Sequence, residues 1–114
     1  VRGSIAEHGG FWPVVGAAHY AGQGLGDEQI ARIVAGSTPH PGATLTEPAV
    51  LARSLGELPG TYVLCLLAGA EPGEDVARLL TSRQWRLVEM DTGHWPMFSQ
   101  PGELAEMLLA AAGW

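Results

Sequence analysis

The segment best suited to chemistry is Asp91-Thr92-Gly93-His94-Trp95-Pro96-Met97-Phe98. It follows an apolar stretch, Trp85 to Met90, that reads as a strand, so Gly93-His94 makes a tight loop at a strand's carboxyl end. Catalytic groups collect at such ends in open α/β sheets. A neutral imidazole there can accept a nucleophile's proton and hand it to a leaving group. The plainer alternative is a loop histidine that hydrogen-bonds locally. His8, His19 and His40 sit in loop-like sequence at no ligand spacing and no helical His pair exists, so no metal site is expected. Gly22, Gly24 and Gly26 do not make the G-x-G-x-x-G phosphate fingerprint, no convincing strand precedes them, and there is no C-x-x-C, so no cofactor is expected either.

The elements that would position His94 lie in the second half of the chain. Tyr62-Val63-Leu64-Cys65-Leu66-Leu67 is an unbroken apolar run bounded by Pro59-Gly60 and Gly69, predicting a strand covered on both faces. Glu74 to Arg83 carries Val76, Leu79 and Leu80 on one helical stripe with acids in its first turn. Trp85 to Met90 predicts a second strand, and Arg86 and Glu89 place it near a sheet edge. A last helix opens at Pro101, a residue suited to the first helical position, with Glu103 placed to satisfy early backbone donors. Its apolar face is Leu104, Met107, Leu108 and Ala111, and Gly113 closes it. The order strand, helix, strand, helix implies an α/β class with a parallel βαβ unit and a packed final helix.

Upstream the texture is looser. Residues 1–26 are glycine-rich and show no sustained period. Asp27 can cap a helix carrying Ile30, Ile33 and Val34, stopped at Gly36. After Pro48, the stretch Ala49 to Leu55 has room for one or two helical turns before Leu58-Pro59-Gly60. Nothing in residues 1–60 matches the Tyr62 strand in quality, and Val14-Val15 is too short, so that strand's second edge needs polypeptide from elsewhere or a second copy.

The 114 residues can bury one modest core, and 46% apolar with 16% charged composition is that of folded material. A net charge of −6 with arginines scattered singly and no lysine argues against nucleic acid as a partner. Cys65, the sole cysteine, permits no internal disulfide, is expected to be inert inside an apolar strand, and fits a reducing, cytoplasmic setting. No stretch approaches the roughly 20 apolar residues that cross a bilayer, so no membrane partner is expected.

Gly93-His94-Trp95-Pro96-Met97 followed by Pro101-x-Glu103-Leu104-Ala105 resembles the histidine segment of the α/β-hydrolases. Within that superfamily the chain is most similar to the bacterial esterase branch related to hydroxynitrile lyases and plant methylesterases. Leu58 to Val63 matches the branch's Leu-Pro-x-Thr-Tyr-Val strand. Gly24-Leu25-Gly26-Asp27-Glu28, Thr38-Pro39-His40-Pro41 and Thr46-Glu47-Pro48 resemble the end of its cap region, so the likeness covers about residues 20–112. It implies a C-terminal portion of the α/β-hydrolase fold, with residues 1–57 cap-like and 58–114 forming the last βαβα of the core. His94 would then be the catalytic base and Trp95 would line an acyl or alcohol pocket.

Two departures bear on function. The family's serine sits on a Gly-x-Ser-x-Gly elbow ahead of the cap, and none of Ser4, Ser37, Ser54, Ser82 or Ser99 has that frame, which places the nucleophile before Val1. The family's aspartate would fall near Leu67, Ala68 and Gly69; Glu71 is the nearest carboxylate able to orient His94. The leading expectation is the histidine-bearing portion of an enzyme that cleaves small ester-like substrates without a cofactor, inactive by itself. The alternative is a non-catalytic remnant that binds or homodimerises through the open sheet edge.

Overall fold

The computed structural model describes residues 1–113 and divides into two compact units, one of Val1–Ala21 and Gly26–Leu51, the other of Gly22–Leu25 and the chain from Ala52 onward. Trp114, an indole that sequence alone assigns to packing, lies outside the described residues.

The first unit contains helix α1 (Arg2–Glu7), strand β1 (Phe11–Trp12), a 3₁₀ turn at Ala17–Tyr20, helix α2 (Asp27–Gly36), strand β2 (His40–Pro41) and helix α3 (Ala43–Thr46). β1 and β2 pair antiparallel, Phe11 opposite Pro41 and Trp12 opposite His40. Ile5, Tyr20 and Ile33 are buried. The helix over Arg2–Glu7 departs from the loop expected there. Six residues are too few to display a 3.6-residue period, and tertiary contacts carry the helix instead. Ile5 packs against Gly42, whose added Cβ would lie 3.2 Å from Ile5 Cγ1, and Arg2 donates to the Thr46 carbonyl at 3.2 Å.

α2 forms over the expected stretch, with its cap moved by one residue. Gly26 is the N-cap, and its N–H donates to Gln29 Oε1 at 2.9 Å, while Asp27 and Glu28 enter the first turn where the helix dipole favours them. The helix expected within Ala49 to Leu55 is absent; only a 3₁₀ turn at Leu55–Glu57 forms. Val50 is 98% exposed, so this stretch has no apolar partner, and two unsupported turns cannot repay helix nucleation.

The second unit holds strand β3 (Gly60–Cys65), a 3₁₀ turn at Leu66–Ala68, helix α4 (Glu74–Leu80), strand β4 (Trp85–Met90), helix α5 (Pro96–Ser99) and helix α6 (Pro101–Ala111). β3 and β4 run parallel in unbroken register from Gly60 opposite Trp85 to Cys65 opposite Met90. The strand–helix–strand–helix order is therefore observed, with mixed α/β content. The single turn α5 is additional: Pro96 starts it, and four residues leave no periodic trace.

Arg86 ties the layers. Its Nε donates to Thr61 Oγ1 at 3.1 Å and its Nη2 to the Ala110 carbonyl at 3.1 Å, placing a cation at the carboxyl end of α6. The helix ends through Gly113, whose φ of +83° is a left-handed conformation suited to glycine. Glu103 lies in the first turn of α6 and makes no capping hydrogen bond, so its contribution there is charge alone.

Burial is thinner than the sequence implies. Leu64 and Met90 are buried, but the other β3 residues are half-buried, and Leu108 of the expected apolar face of α6 is 56% exposed. The physical reason is the sheet's width: among the described residues β4 is the sole neighbour of β3, and β1 and β2 pair with each other. A strand with one neighbour cannot be covered as an interior strand is.

Gly60 shows how tightly the amino end of the pair is packed. A Cβ there would fall within 2.6 Å of three indole carbons of Trp85, whose Nε1 is held by the Leu55 carbonyl at 3.0 Å. Gly60→Ala should therefore lower stability by about 1–3 kcal/mol through overpacking. Urea denaturation followed by tryptophan fluorescence checks this, and an unchanged midpoint would contradict the packing described.

Candidate active site

A parallel pair brings both strands out at the same end, so the segments after Cys65 and after Met90 emerge side by side. The Leu67 N–H donates to the Thr92 carbonyl at 3.1 Å, joining the two exits. Thr92 is 2% exposed, its hydroxyl hydrogen-bonded to the Ser99 hydroxyl of α5, and Ser99 Oγ also donates to the Trp95 carbonyl at 3.3 Å. Gln100 Nε2 donates to the Asp91 carbonyl at 2.8 Å. The loop from Asp91 to Trp95 is thus clamped between β4 and the turn of α5. Gln100 Oε1 is buried and has no hydrogen-bond partner among the described residues.

His94 stands at the exposed tip of this loop. Its backbone N–H donates to Gln23 Oε1 at 2.7 Å. Gly93 is buried against the same residue: a Cβ on Gly93 would lie 2.6 Å from Gln23 Oε1, 2.7 Å from its Cα, and closer still to its carbonyl oxygen. Glycine is therefore required at position 93 for close backbone approach. The triplet Gly22-Gln23-Gly24 makes that approach possible, because both glycines adopt left-handed φ values, +75° and +71°. The glycines that fail as a phosphate loop thus shape a support for His94.

His94 borders a cavity of about 310 Å³ together with Tyr62 to Cys65, Ala68, Gly69 and Glu71. His94 and Glu71, both proposed from sequence, therefore share one cavity along β3. No hydrogen bond or ion pair joins them among the described residues, and Glu71 is exposed. Trp95 is half-buried beside them and is not among the wall residues. Its indole meets the His94 ring edge-on, centroids 6.0 Å apart at 88°, and Phe98 at 6.4 Å and 61°. Cys65, expected to be sequestered, is half-buried at the cavity wall.

An imidazole whose ring nitrogens have no hydrogen-bond partner among the described residues, on a residue that borders a cavity with a carboxylate, can shuttle protons for a neighbouring nucleophile. The unit's own serines do not provide one. Ser54, in an Ala-x-Ser-x-Gly frame, and Ser82 lie at the amino end of the sheet, and β3's six residues separate that end from His94 by roughly 15–20 Å. Ser99 is nearer in sequence, but its hydroxyl is occupied by Thr92 and Trp95. Gln23, Thr92, Ser99 and Gln100 escaped sequence reasoning. For Gln23 one signal was present, glycines on both sides, which marks a close backbone approach.

No protein-family model matches the chain, and no solved structure does. The chain is similar to a protein named Probable hydrolase R7 of Phoma sp., with 31% identity over 80 residues, which covers 65% of this chain and 32% of that relative. It spans about a third of the relative's length.

The two glycines Gly93 and Gly102 make an internal contrast. Gly93→Ala must displace Gln23 and should cost about 1–3 kcal/mol. Gly102→Ala, in α6 with no atom within 4 Å of the added Cβ, should leave stability unchanged or raise it by up to about 1 kcal/mol. Denaturation midpoints of the two variants check this; equal shifts would contradict the close packing at position 93.

Proposed function

We propose that this chain is the histidine-bearing C-terminal portion of an α/β-hydrolase acting on small ester-like substrates, its serine nucleophile supplied by polypeptide outside these residues. The observation carrying this reading is His94 at the carboxyl end of a parallel strand pair, its main chain anchored and the residue bordering a cavity with Glu71. The likeness to a probable hydrolase supports it, and so does the histidine-segment motif.

In the proposed reaction His94 removes the serine proton as Oγ attacks the ester carbonyl, then gives that proton to the departing alcohol oxygen. Water, deprotonated by His94, cleaves the acyl-serine and regenerates the hydroxyl. Glu71 rotates to accept the other ring N–H and so fixes the tautomer; catalytic hydrogen bonds that are unformed in a resting site commonly tighten with substrate. Trp95, beside that cavity and not in its wall, lines an acyl or alcohol pocket that polypeptide outside these residues completes, and no cofactor takes part. Residues 1–57 act as cap-like material and 58–114 as hydrolase core, in a cytoplasmic protein.

A second reading rests on the unpaired edge of β3. In it the chain is a non-catalytic module whose open edge pairs with a second copy. Size-exclusion mass at micromolar concentration separates the two: a stable dimer of the 114-residue chain favours this reading, and a monomer or aggregate favours the first.

The first reading expects no turnover of a chromogenic short-chain ester by the isolated chain, because nucleophile and oxyanion donors supply most of the rate. In the protein that carries the nucleophile, His94→Ala should reduce kcat by on the order of 10⁴-fold or more. Turnover by the isolated chain that His94→Ala abolishes would overturn the external nucleophile. Full activity of the longer His94→Ala protein would overturn the mechanism.

A further inference from the structure

We infer that Gln23 is a positioning residue for His94, a role that rests on the proposed reading of His94 as a catalytic base. Several independent features converge on the side chain. Its Oε1 accepts the His94 N–H at 2.7 Å, and because a backbone N–H can only donate, this bond fixes which end of the carboxamide faces the loop. The Gln23 backbone also fills the space that a side chain at position 93 would need. Residue 23 is therefore held against the histidine loop by main chain and side chain together.

The support reaches both strand exits. A Cβ on Gly24 would lie 3.4 Å from Leu67 Cδ1, in ordinary contact, and Leu67 is itself bonded to Thr92. Gly22-Gln23-Gly24 thus rests on the turn after β3 as well as on the loop after β4, the two segments that carry Glu71 and His94.

The form of the anchor matters for chemistry. A catalytic imidazole must be held to within a fraction of an ångström while its nitrogens stay free to exchange protons. Binding the ring itself would hold it at the expense of one nitrogen. Gln23 holds the main chain of His94 instead, and neither ring nitrogen has a hydrogen-bond partner among the described residues.

Two substitutions at position 23 test this in the ¹⁵N-labelled chain. Gln23→Glu keeps an acceptor oxygen on a side chain of the same length; Gln23→Leu removes it. With wild-type sequence the His94 amide should be protected from exchange. Gln23→Leu should speed its exchange about tenfold, the loss of one hydrogen bond of ordinary strength, and move its proton resonance upfield. The amides of Leu64 and Met90 should be unaffected. Gln23→Glu should restore protection and move the His94 amide proton further downfield, since a carboxylate makes the stronger bond. In the nucleophile-bearing protein, Gln23→Leu should lower kcat about tenfold with KM little changed, and Gln23→Glu should recover it.

An unprotected wild-type His94 amide, unchanged exchange in Gln23→Leu, equal acceleration at Leu64 and Met90, or no recovery in Gln23→Glu would each overturn the assignment. Exchange and activity fail separately. If the nucleophile-bearing protein hydrolyses no ester, or does so without His94, the proposed function falls while the exchange data still decide whether Gln23 anchors the loop.

Discussion

Parallel pairing of β3 with β4 is the constraint on which the second unit depends. Two parallel neighbours cannot be joined by a hairpin, so the chain must return through α4, and both strands then deliver their following segments to one end of the sheet. This is why Glu71 and His94, well separated in sequence, border the same cavity. It is also why Ser54 and Ser82, which precede β3 and β4, cannot serve His94, since they are left at the opposite end. The local hydrogen bonds refine this arrangement; they do not create it.

What those bonds add is definition. A loop of five residues after a strand would ordinarily be among the more mobile parts of a domain. Here Thr92 is buried against Ser99, Gln100 holds the Asp91 carbonyl, and Gln23 holds the His94 N–H, so the loop is tied at its start, middle and tip. Gln100 Oε1 is the one buried side-chain polar atom that has no hydrogen-bond partner among the described residues. The free edge of β3 and the exposed apolar side chains of α6 stand in contrast: the site's main chain is well anchored, while the sheet beneath it is narrow.

The sequence was legible where elements are long enough to carry a period. The strands after Gly60 and at Trp85, the helix from Glu74 and the helix from Pro101 all announce themselves by apolar pattern and by Pro or Gly punctuation. α1 and α5 did not, because six and four residues cannot display a helical period and are sustained by contacts distant in sequence. The stretch from Ala49 had helix-compatible residues and a breaker on each side, yet no surface to pack on. Burial of β3 was overestimated for a related reason: an apolar run reports the environment a strand suits, and the described residues supply only part of it.

The site divides along the same line. His94 is marked as a candidate by its motif and its position after a strand, and Glu71 by its place after another. Gln23 was not, because a side chain that accepts from a backbone N–H many residues away leaves no spacing to recognise. Only the flanking glycines hint at it, and they first suggest a phosphate loop.

The central claim is that His94 serves a serine outside these residues. The most direct measurement is labelling of the protein from the full reading frame with a fluorophosphonate, followed by peptide mapping. The expected result is one modified serine in a segment preceding Val1, with modification lost in His94→Ala. Modification of Ser54, Ser82 or Ser99, or labelling that His94→Ala leaves undiminished, would contradict it.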